Sequence, residues 1–520
     1  MLRLRLAPSP TGYVHLGTLR TALYGYLFVQ QAKQRGEQAE FILRIEDTDQ
    51  KRGVEQAVGN LIMVLLETGI KFNNVNDLEL FGPQKIKEGE RIPDWKEIIT
   101  KFIEGSFREY IQSNRLELYQ KYARELWEKG LAYPCFCTAE RLEELRQKQQ
   151  TAGRSTGYDR HCLSLSKEET QKLIDAGKSY VLRMKIPRER TIKLNDLVRG
   201  EVAFNCAELD DQVLLKSDGF PTYHLAVVVD DHLMEITHVT RTEEWLPSTP
   251  KHLLLYEFFG WQPPLFAHFP LILNPDRTKM SKRKGDVSVG SYLEKGYLPE
   301  ALISYLALLG WNPGTEQEVF TIQELIEQFE ITKIHKAGAV FDVDKLKWMN
   351  GMFIRKMELG KLVELVIPYL DKQNWFKNVK CQMSNVKCHL ERCVKLIQEK
   401  LKLLSEAPEM LEFFFHEMEF EQSLFLNDKM GVDAKIARMA LSEGQGALEK
   451  IEEKDWKEEK IKEVLMSKVG ELNWKNGQLL WPLRVALTGK LFSPGVFEVA
   501  EVLGKKESLT RIQHGLEKFN

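Results

Sequence analysis

Residues 2–23 read "LRLRLAPSPTGYVHLGTLRTAL", and this stretch decides the fold. "LRLRL" alternates apolar and charged residues, the period of a half-buried strand. From Thr18 to Gly36 the apolar spacing lengthens to that of a helix, which Thr18 can cap and Gly36 can end. "EFILRIEDTD" (40–49) then returns to a strand pattern that ends in acids. Strand, helix and strand at this spacing predict a βαβ unit, and so a parallel sheet. Connections in such a sheet are right-handed, and ligands bind beyond the carboxyl ends of its strands.

The loop between the first strand and the helix sits at such an end. Pro8 and Pro10 fix φ and remove two amide donors. Gly12 and Gly17 permit close backbone approach. The remaining amides lead into a helix N-terminus, which favours anions. A single imidazole, His15, lies inside the loop. The pattern matches neither of the two common glycine-rich nucleotide loops, and taken alone it reads first as a stiff connection with a packed histidine.

The remainder of the chain sets the limits. Its 520 residues suffice for roughly three or four domains. With 43% hydrophobic and 28% charged residues the composition is that of a globular protein, and a net charge of −2 excludes a globally basic nucleic-acid binder. No apolar run is long enough for a membrane span. The N-terminus lacks the pattern of a secretory signal or transit peptide, and seven cysteines make no disulfide framework, so a cytoplasmic protein is expected.

Residues 73–113 are polar and charged, with a helix expected near 94–111, and read as a surface excursion. "SYVLRMKIP" (179–187) and "VLLKSDGFPTYHLAVVVDDHLMEITHVTR" (213–241) return to strand patterns. An apolar strand then opens "FPLILNPDRTKMSKRKGDVSV" (269–289), whose centre, "KMSKRKG" (279–285), carries four cations in seven residues. Beyond about residue 300 helical periodicity dominates.

The two loops acquire meaning together. A His-x-Gly-Thr motif at the first strand–helix turn and a later Lys-Met-Ser-Lys loop are the paired signatures of class I aminoacyl-tRNA synthetases. The sequence resembles that class and, within it, the bacterial or organellar glutamyl-tRNA synthetase branch. The narrower match rests on "RLAPSPTGYVHLGT" (5–18), "FILRIEDTD" (41–49), "LLKSDGFPTYHLAVVVDDHLMEITHVTRTEEWLPSTP" (214–250), "NPDRTKMSKRKGDVSV" (274–289), "FDVDKLKWMNG" (341–351) and "WPLRVALTG" (481–489).

The resemblance implies an α/β fold: a Rossmann-type parallel-sheet catalytic domain with an inserted acceptor-binding subdomain, then a mainly α-helical anticodon-binding region. The corresponding segments are 1–112 and 223–251 for the two halves of the Rossmann domain, and 113–222 for the insertion. Residues 252–358 would form a stem-contact domain carrying the basic loop, and 359–520 the anticodon-binding domains. It further implies two-step chemistry, in which glutamate attacks the α-phosphate of ATP and is then passed to a terminal ribose hydroxyl of tRNA(Glu). Such chemistry needs positioning and charge neutralisation more than a nucleophile.

By the same resemblance, His15, Lys279 and Lys282 are the catalytic residues. His15, Gly17, Thr18, Glu244, Trp245 and Lys282 are expected to bind ATP, which arrives with Mg²⁺. Arg5 and Arg241 suit the carboxylates of glutamate, since guanidinium pairs bidentately with carboxylate. Glu46 suits its ammonium, and Ser9 and Tyr223 add hydrogen bonds. One departure stands out: some relatives carry asparagine where this chain has Val227, so a polar contact to glutamate there must be missing or supplied elsewhere.

Many relatives also carry a zinc knuckle, Cys-x-Cys followed by Cys-x-His. Here "CFC" (135–137) is followed by "YDRHC" (158–162), without the expected histidine after Cys162. A Tyr-x-x-x-Cys variant fits Cys135, Cys137, Tyr158 and Cys162 as a structural Zn²⁺ set; the alternative is free cysteines in a degenerate knuckle. Cys381, Cys388, His389 and Cys393 match no standard zinc spacing and read as ordinary helix residues. Between residues 345 and 402 there are 13 Lys and Arg against five Asp and Glu, a local footprint for a phosphate backbone. A helical C-terminus separates the chain from glutaminyl enzymes, which end in β-barrels, and from a truncated relative without an anticodon-binding half. The expected partners are L-glutamate, ATP and tRNA(Glu), with no membrane and a monomeric state. A non-catalytic tRNA-binding protein on the same scaffold, and an enzyme that also charges tRNA(Gln), are the other readings.

Overall fold

The computed structural model describes residues 1–10, 13–48, 57–75, 105, 107–280, 287–382 and 386–519. Two compact units emerge: Met1–Leu293 with Pro299–Val343, and Glu294–Leu298 with Asp344–Asn520. The division therefore falls at Val343/Asp344, earlier than the 358/359 boundary expected from sequence.

In chain order the strands are β1 (Leu2–Leu6), β2 (Ala39–Leu43), β3 (Ala132–Cys135), β4 (Val181–Met184), β5 (Thr191–Asp196), β6 (Gly200–Asn205), β7 (Val213–Leu215), β8 (His238–Thr242), β9 (Leu265–Phe269), β10 (Ile272–Leu273) and β11 (Ala339–Val340). The main sheet runs β2-β1-β8-β9-β5-β6 and is parallel except for the β5–β6 hairpin. The helix Leu16–Gln34 joins β1 to β2 as the βαβ pattern requires. From β1 the sheet extends to β2 on one side and β8 on the other, so the order reverses there and opens a crevice at the strand ends.

Gly25 sets how closely the helix can lie on the sheet. A Cβ there would stand 3.0 Å from Cε2 and 3.2 Å from Cζ of Phe41 on β2, so any larger side chain would push the layers apart. The interval 113–222 supplies a separate antiparallel sheet, β3-β4-β7, and also the β5–β6 hairpin on the main sheet. The second unit is helical, with no strand among its described residues. Buried Asn350 ties Glu294–Leu298 into it, accepting from the Leu298 amide (2.7 Å) and donating to the Lys402 carbonyl (2.6 Å).

Three local expectations need correction. The first helix begins at Leu16, and its cap is His15 rather than Thr18: extended backbone at His15 lets Nδ1 accept from the Gly17 amide at 3.0 Å. Within 213–241, Tyr223–Leu233 is a helix and not a strand. Its residues 225–231 are all buried, and a helix buried on every face has no 3.6-residue signal to set against its β-branched composition.

The third correction concerns 73–113, whose described ends are not a surface excursion. Asn73 and Asn74 hydrogen-bond the free edge of β2 at Phe41 and Leu43, in place of a neighbouring strand. Phe107, Ile111 and Gln112 are buried, and beyond β2 the Ile45 amide donates to the Tyr110 carbonyl while the Ile45 carbonyl accepts from the Gln112 amide. The expected helix at 94–111 is replaced at its end by short 3₁₀ turns, Arg108–Tyr110 and Gln112–Arg115. Residues 94–104 and 106 lie outside the described residues.

Candidate functional site

A cleft of about 400 Å³ opens where β1 and β8 end. Its wall includes Arg5, Ser9, His15, Gly17, Thr18, Glu46, Tyr223, Arg241, Glu244, Trp245 and Lys279. These are all the residues expected to bind glutamate or ATP except Lys282, which lies outside the described residues.

Arg5 points from β1 into this cleft and is 4% exposed. Asp231 holds its guanidinium at both ends, Nε to Oδ1 at 3.0 Å and Nη2 to Oδ2 at 3.2 Å. Asp231 also accepts from Arg44 Nη1 at 2.6 Å, and Arg44 Nη2 donates to Glu46 at 3.1 Å. Burial pushes Asp231 up, but Arg44 and Arg5 outweigh it and hold the carboxyl below its usual range. For Glu46 burial prevails over Arg44 and Arg5, and its carboxyl is raised. An ammonium group placed beside Glu46 would favour its charged form.

Arg241 on β8 is held differently. Its donors meet the Tyr223 hydroxyl at 3.2 Å, Thr249 Oγ1 at 2.8 Å, His252 Nδ1 at 3.2 Å and His268 Nε2 at 3.0 Å. Val227, one turn after Tyr223, is buried in the hydrophobic core. The polar groups on that side of the cleft are the Tyr223 hydroxyl and Arg241.

On the opposite side lies the start of the helix Leu16–Gln34. Because His15 Nδ1 accepts from Gly17, the neutral imidazole carries its proton on Nε2 and can donate there. Gly17 thus fixes the histidine rather than presenting an unengaged amide. Lys279 forms an ion pair with Glu244, whose other carboxylate oxygen accepts from Thr242 at 3.0 Å. The Trp245 ring lies 4.4 Å from that of Tyr223.

Away from the cleft, the Sγ atoms of Cys135, Cys137 and Cys162 lie within 4.8 Å of one another, the one such cluster found among the described residues. The Tyr158 hydroxyl is 3.3 Å from Cys135 Sγ and 3.4 Å from Cys137 Sγ. Hydrogen bonding to Cys162 pulls the Cys135 thiol below its ordinary range and pushes Cys162 up. Cys388 is exposed and Cys393 buried, both free, with neither in a metal-ligand cluster; the side chain of Cys381 is outside the described residues.

Residues 1–348 match the family described as tRNA synthetases class I (E and Q), catalytic domain, and residues 361–516 an anticodon binding domain. The chain belongs to the class I tRNA synthetases. Among its curated relatives, a glutamate–tRNA ligase of Alkaliphilus metalliredigens is 43% identical over 99% of this chain and 98% of its own length. One from Clostridium botulinum is 44% identical over 100% and 98%. The crystal structure of a glutamate tRNA ligase from Elizabethkingia meningosepticum in complex with its amino acid matches with a TM-score of 0.82 at 34% identity, covering 100% of each chain. No helix among the described residues of the synthetase is long and apolar enough to cross a membrane.

Several residues behind the cleft of this synthetase escape sequence reasoning. Asp230 and Asp231 are buried, as are Arg44, Asp196, His252 and His268. The signal was present in "AVVVDD": two acids closing an apolar run are rarely buried unless paired. On a helix the two carboxylates diverge. Asp230 takes Gln112, Arg115 and Tyr119, each at 2.8 Å, while Asp231 takes Arg5 and Arg44.

Proposed function

We propose that the chain is a glutamate–tRNA ligase, which activates L-glutamate with ATP and transfers it to the 3′-terminal ribose of tRNA(Glu). The observation that carries this reading is the single cleft that sets the buried guanidiniums of Arg5 and Arg241 and the carboxylate of Glu46 beside a histidine-capped helix start. Glutamate has two carboxylates and one ammonium, and Arg5, Arg241 and Glu46 match that count and sign. Ser9 and Tyr223 supply neutral hydrogen bonds beside them.

ATP takes the other side of the cleft. His15 donates from Nε2 to a phosphate oxygen at the start of the helix, where the macrodipole also favours negative charge. Thr18 lies in that first turn, and Glu244 and Trp245 face the nucleoside. Lys279 exchanges Glu244 for phosphate when the nucleotide enters, and Lys282 neutralises charge on the departing pyrophosphate. Mg²⁺ bound to ATP supplies further neutralisation of the triphosphate. The protein's part is to hold the glutamate carboxylate in line with the α-phosphate.

Cys135, Cys137, Tyr158 and Cys162 fit a structural Zn²⁺. A tetrahedral thiolate site with bonds of about 2.3 Å has edges of about 3.8 Å, and Cys137 Sγ lies 3.5 Å from Cys162 Sγ. Arg141 Nη1 at 3.4 Å from Cys137 and the Arg183 guanidinium 4.1 Å over the Tyr158 ring favour anionic ligands. Bound zinc would staple the end of β3 to the 158–162 turn. The basic stretch 345–402, in the helical unit, supports a tRNA backbone contact.

Aminoacylation of purified tRNA(Glu) and tRNA(Gln) side by side tests the reading. Charging of tRNA(Glu) with glutamate is expected. Charging of neither would favour a non-catalytic tRNA-binding protein, and charging of both a non-discriminating enzyme.

A further inference from the structure

Arg5 and Arg241 face the same cleft under opposite electrostatic arrangements. Asp231 compensates Arg5, whereas no carboxylate among the described residues lies within ion-pairing distance of Arg241. All four of its side-chain partners are neutral acceptors, so its charge stays available to an incoming anion. Two of them are imidazoles, which accept only at a nitrogen that carries no proton.

The Asp196–His268 pair decides which nitrogen that is. His268 sits on β9 directly beside Arg241 on β8 and is fully buried. Its Nδ1 lies 2.6 Å from Asp196 Oδ2. The other oxygen of Asp196 accepts from the amides of Val198 (3.0 Å), Arg199 (2.9 Å) and His268 (3.2 Å), which locks the carboxylate in place. The carboxylate can only accept, so Nδ1 carries the proton and Nε2 offers a lone pair to Arg241 Nε–H. Burial, reinforced by the charge of Arg241, outweighs the pull of Asp196 and disfavours a second proton on His268.

We propose that Asp196 and His268 are positioning residues for amino-acid binding: the carboxylate fixes the imidazole tautomer, and the imidazole fixes the guanidinium of Arg241 in the cleft. The proposal rests on the reading of the cleft as the glutamate site. The chain is directional. Arg241 has no lone pair to offer, so if the His268 proton moves to Nε2 the two groups face each other as donors: the proton turns to Thr249 Oγ1, 3.2 Å away, and Arg241 Nε is left without its acceptor. Asp196→Asn would cause this. The three backbone amides claim the asparagine oxygen, leaving its NH₂ to face Nδ1 and forcing the proton onto Nε2.

The test uses the full-length chain and glutamate-dependent ATP–pyrophosphate exchange with tRNA(Glu) present. Asp196→Asn is expected to raise the KM for glutamate at least tenfold while leaving the KM for ATP within twofold. His268→Gln can accept from Arg241 through its oxygen and donate to Asp196 through its nitrogen, so it should stay within threefold of wild type. His268→Leu can do neither and should match or exceed the loss in Asp196→Asn. A purely structural role predicts equal losses in His268→Gln and His268→Leu, or parallel rises in both KM values, and either result overturns the proposal. So does an unchanged glutamate KM in a folded Asp196→Asn. If that variant does not fold, the Gln and Leu comparison decides alone. Absence of exchange in the wild type would instead overturn the reading of the cleft, and calorimetric titration of glutamate into the same variants then tests the positioning role by affinity.

Discussion

Replacing Asp231 with asparagine removes the anion that Arg5 and Arg44 share. The Arg5, Arg44 and Asp231 side chains are 4%, 0% and 4% exposed, so solvent screens little of the loss. Breaking a buried pair by removing one partner costs about 3–5 kcal/mol. Arg44 keeps Glu46 at 3.1 Å and the asparagine oxygen can still accept one hydrogen bond, which places the expected loss near the lower figure, about 3 kcal/mol. Urea unfolding followed by tryptophan fluorescence reads this directly.

The pH dependence has a definite sign. The folded carboxyl of Asp231 lies below its unfolded value, so its stabilisation is fully present above the ordinary aspartate range, about pH 4, and is lost as pH falls through the lower folded value. The gap between wild type and variant should be constant from neutral to mildly acidic pH and close below that range. Arg5 also loses its aim, so the glutamate KM should rise at least tenfold with little change for ATP. A gap under 1 kcal/mol at pH 7, or one that does not shrink in acid, would refute the argument that this buried pair orients Arg5.

Further outcomes follow from other parts of the chain. Lys282→Ala should slow activation at least 100-fold while tRNA binding, measured by filter retention, stays nearly intact; equal loss of both would remove its assigned role. Asn74→Ala should destabilise the first unit by about 1–3 kcal/mol for each of the two Leu43 backbone groups it orphans, read by urea unfolding. Purified protein should contain one zinc per chain by elemental analysis, and Cys162→Ser should lower that content and the melting temperature; a zinc-free wild type of unchanged stability would contradict the ligand assignment.

The sequence displayed the front of the site more clearly than its back. The residues proposed to touch ligands sit in motifs with fixed spacing, so Arg5, His15, Glu46 and Arg241 could be named in advance and all line one cleft. The supporting shell could not be read this way. Asp196 and His268 come from a hairpin and a strand 72 residues apart, and the strand order β8-β9-β5 brings them to Arg241, while His252 reaches it from the helix that follows β8. Local structure failed where burial erased periodicity, as in Tyr223–Leu233, or where side chains stood in for a strand, as Asn73 and Asn74 do beside β2. The capping role of His15 was hidden because histidine is not among the usual N-cap residues.

Glutamate-dependent ATP–pyrophosphate exchange by the purified protein tests the central claim most directly, with glutamate, glutamine and aspartate compared in the presence and absence of tRNA(Glu). The pocket built on Arg5, Arg241 and Glu46 predicts exchange with glutamate, and rates at least about 100-fold lower with glutamine, whose amide leaves one of the two guanidiniums without an anion. Exchange with none of the three, or equally good exchange with glutamine, would contradict it.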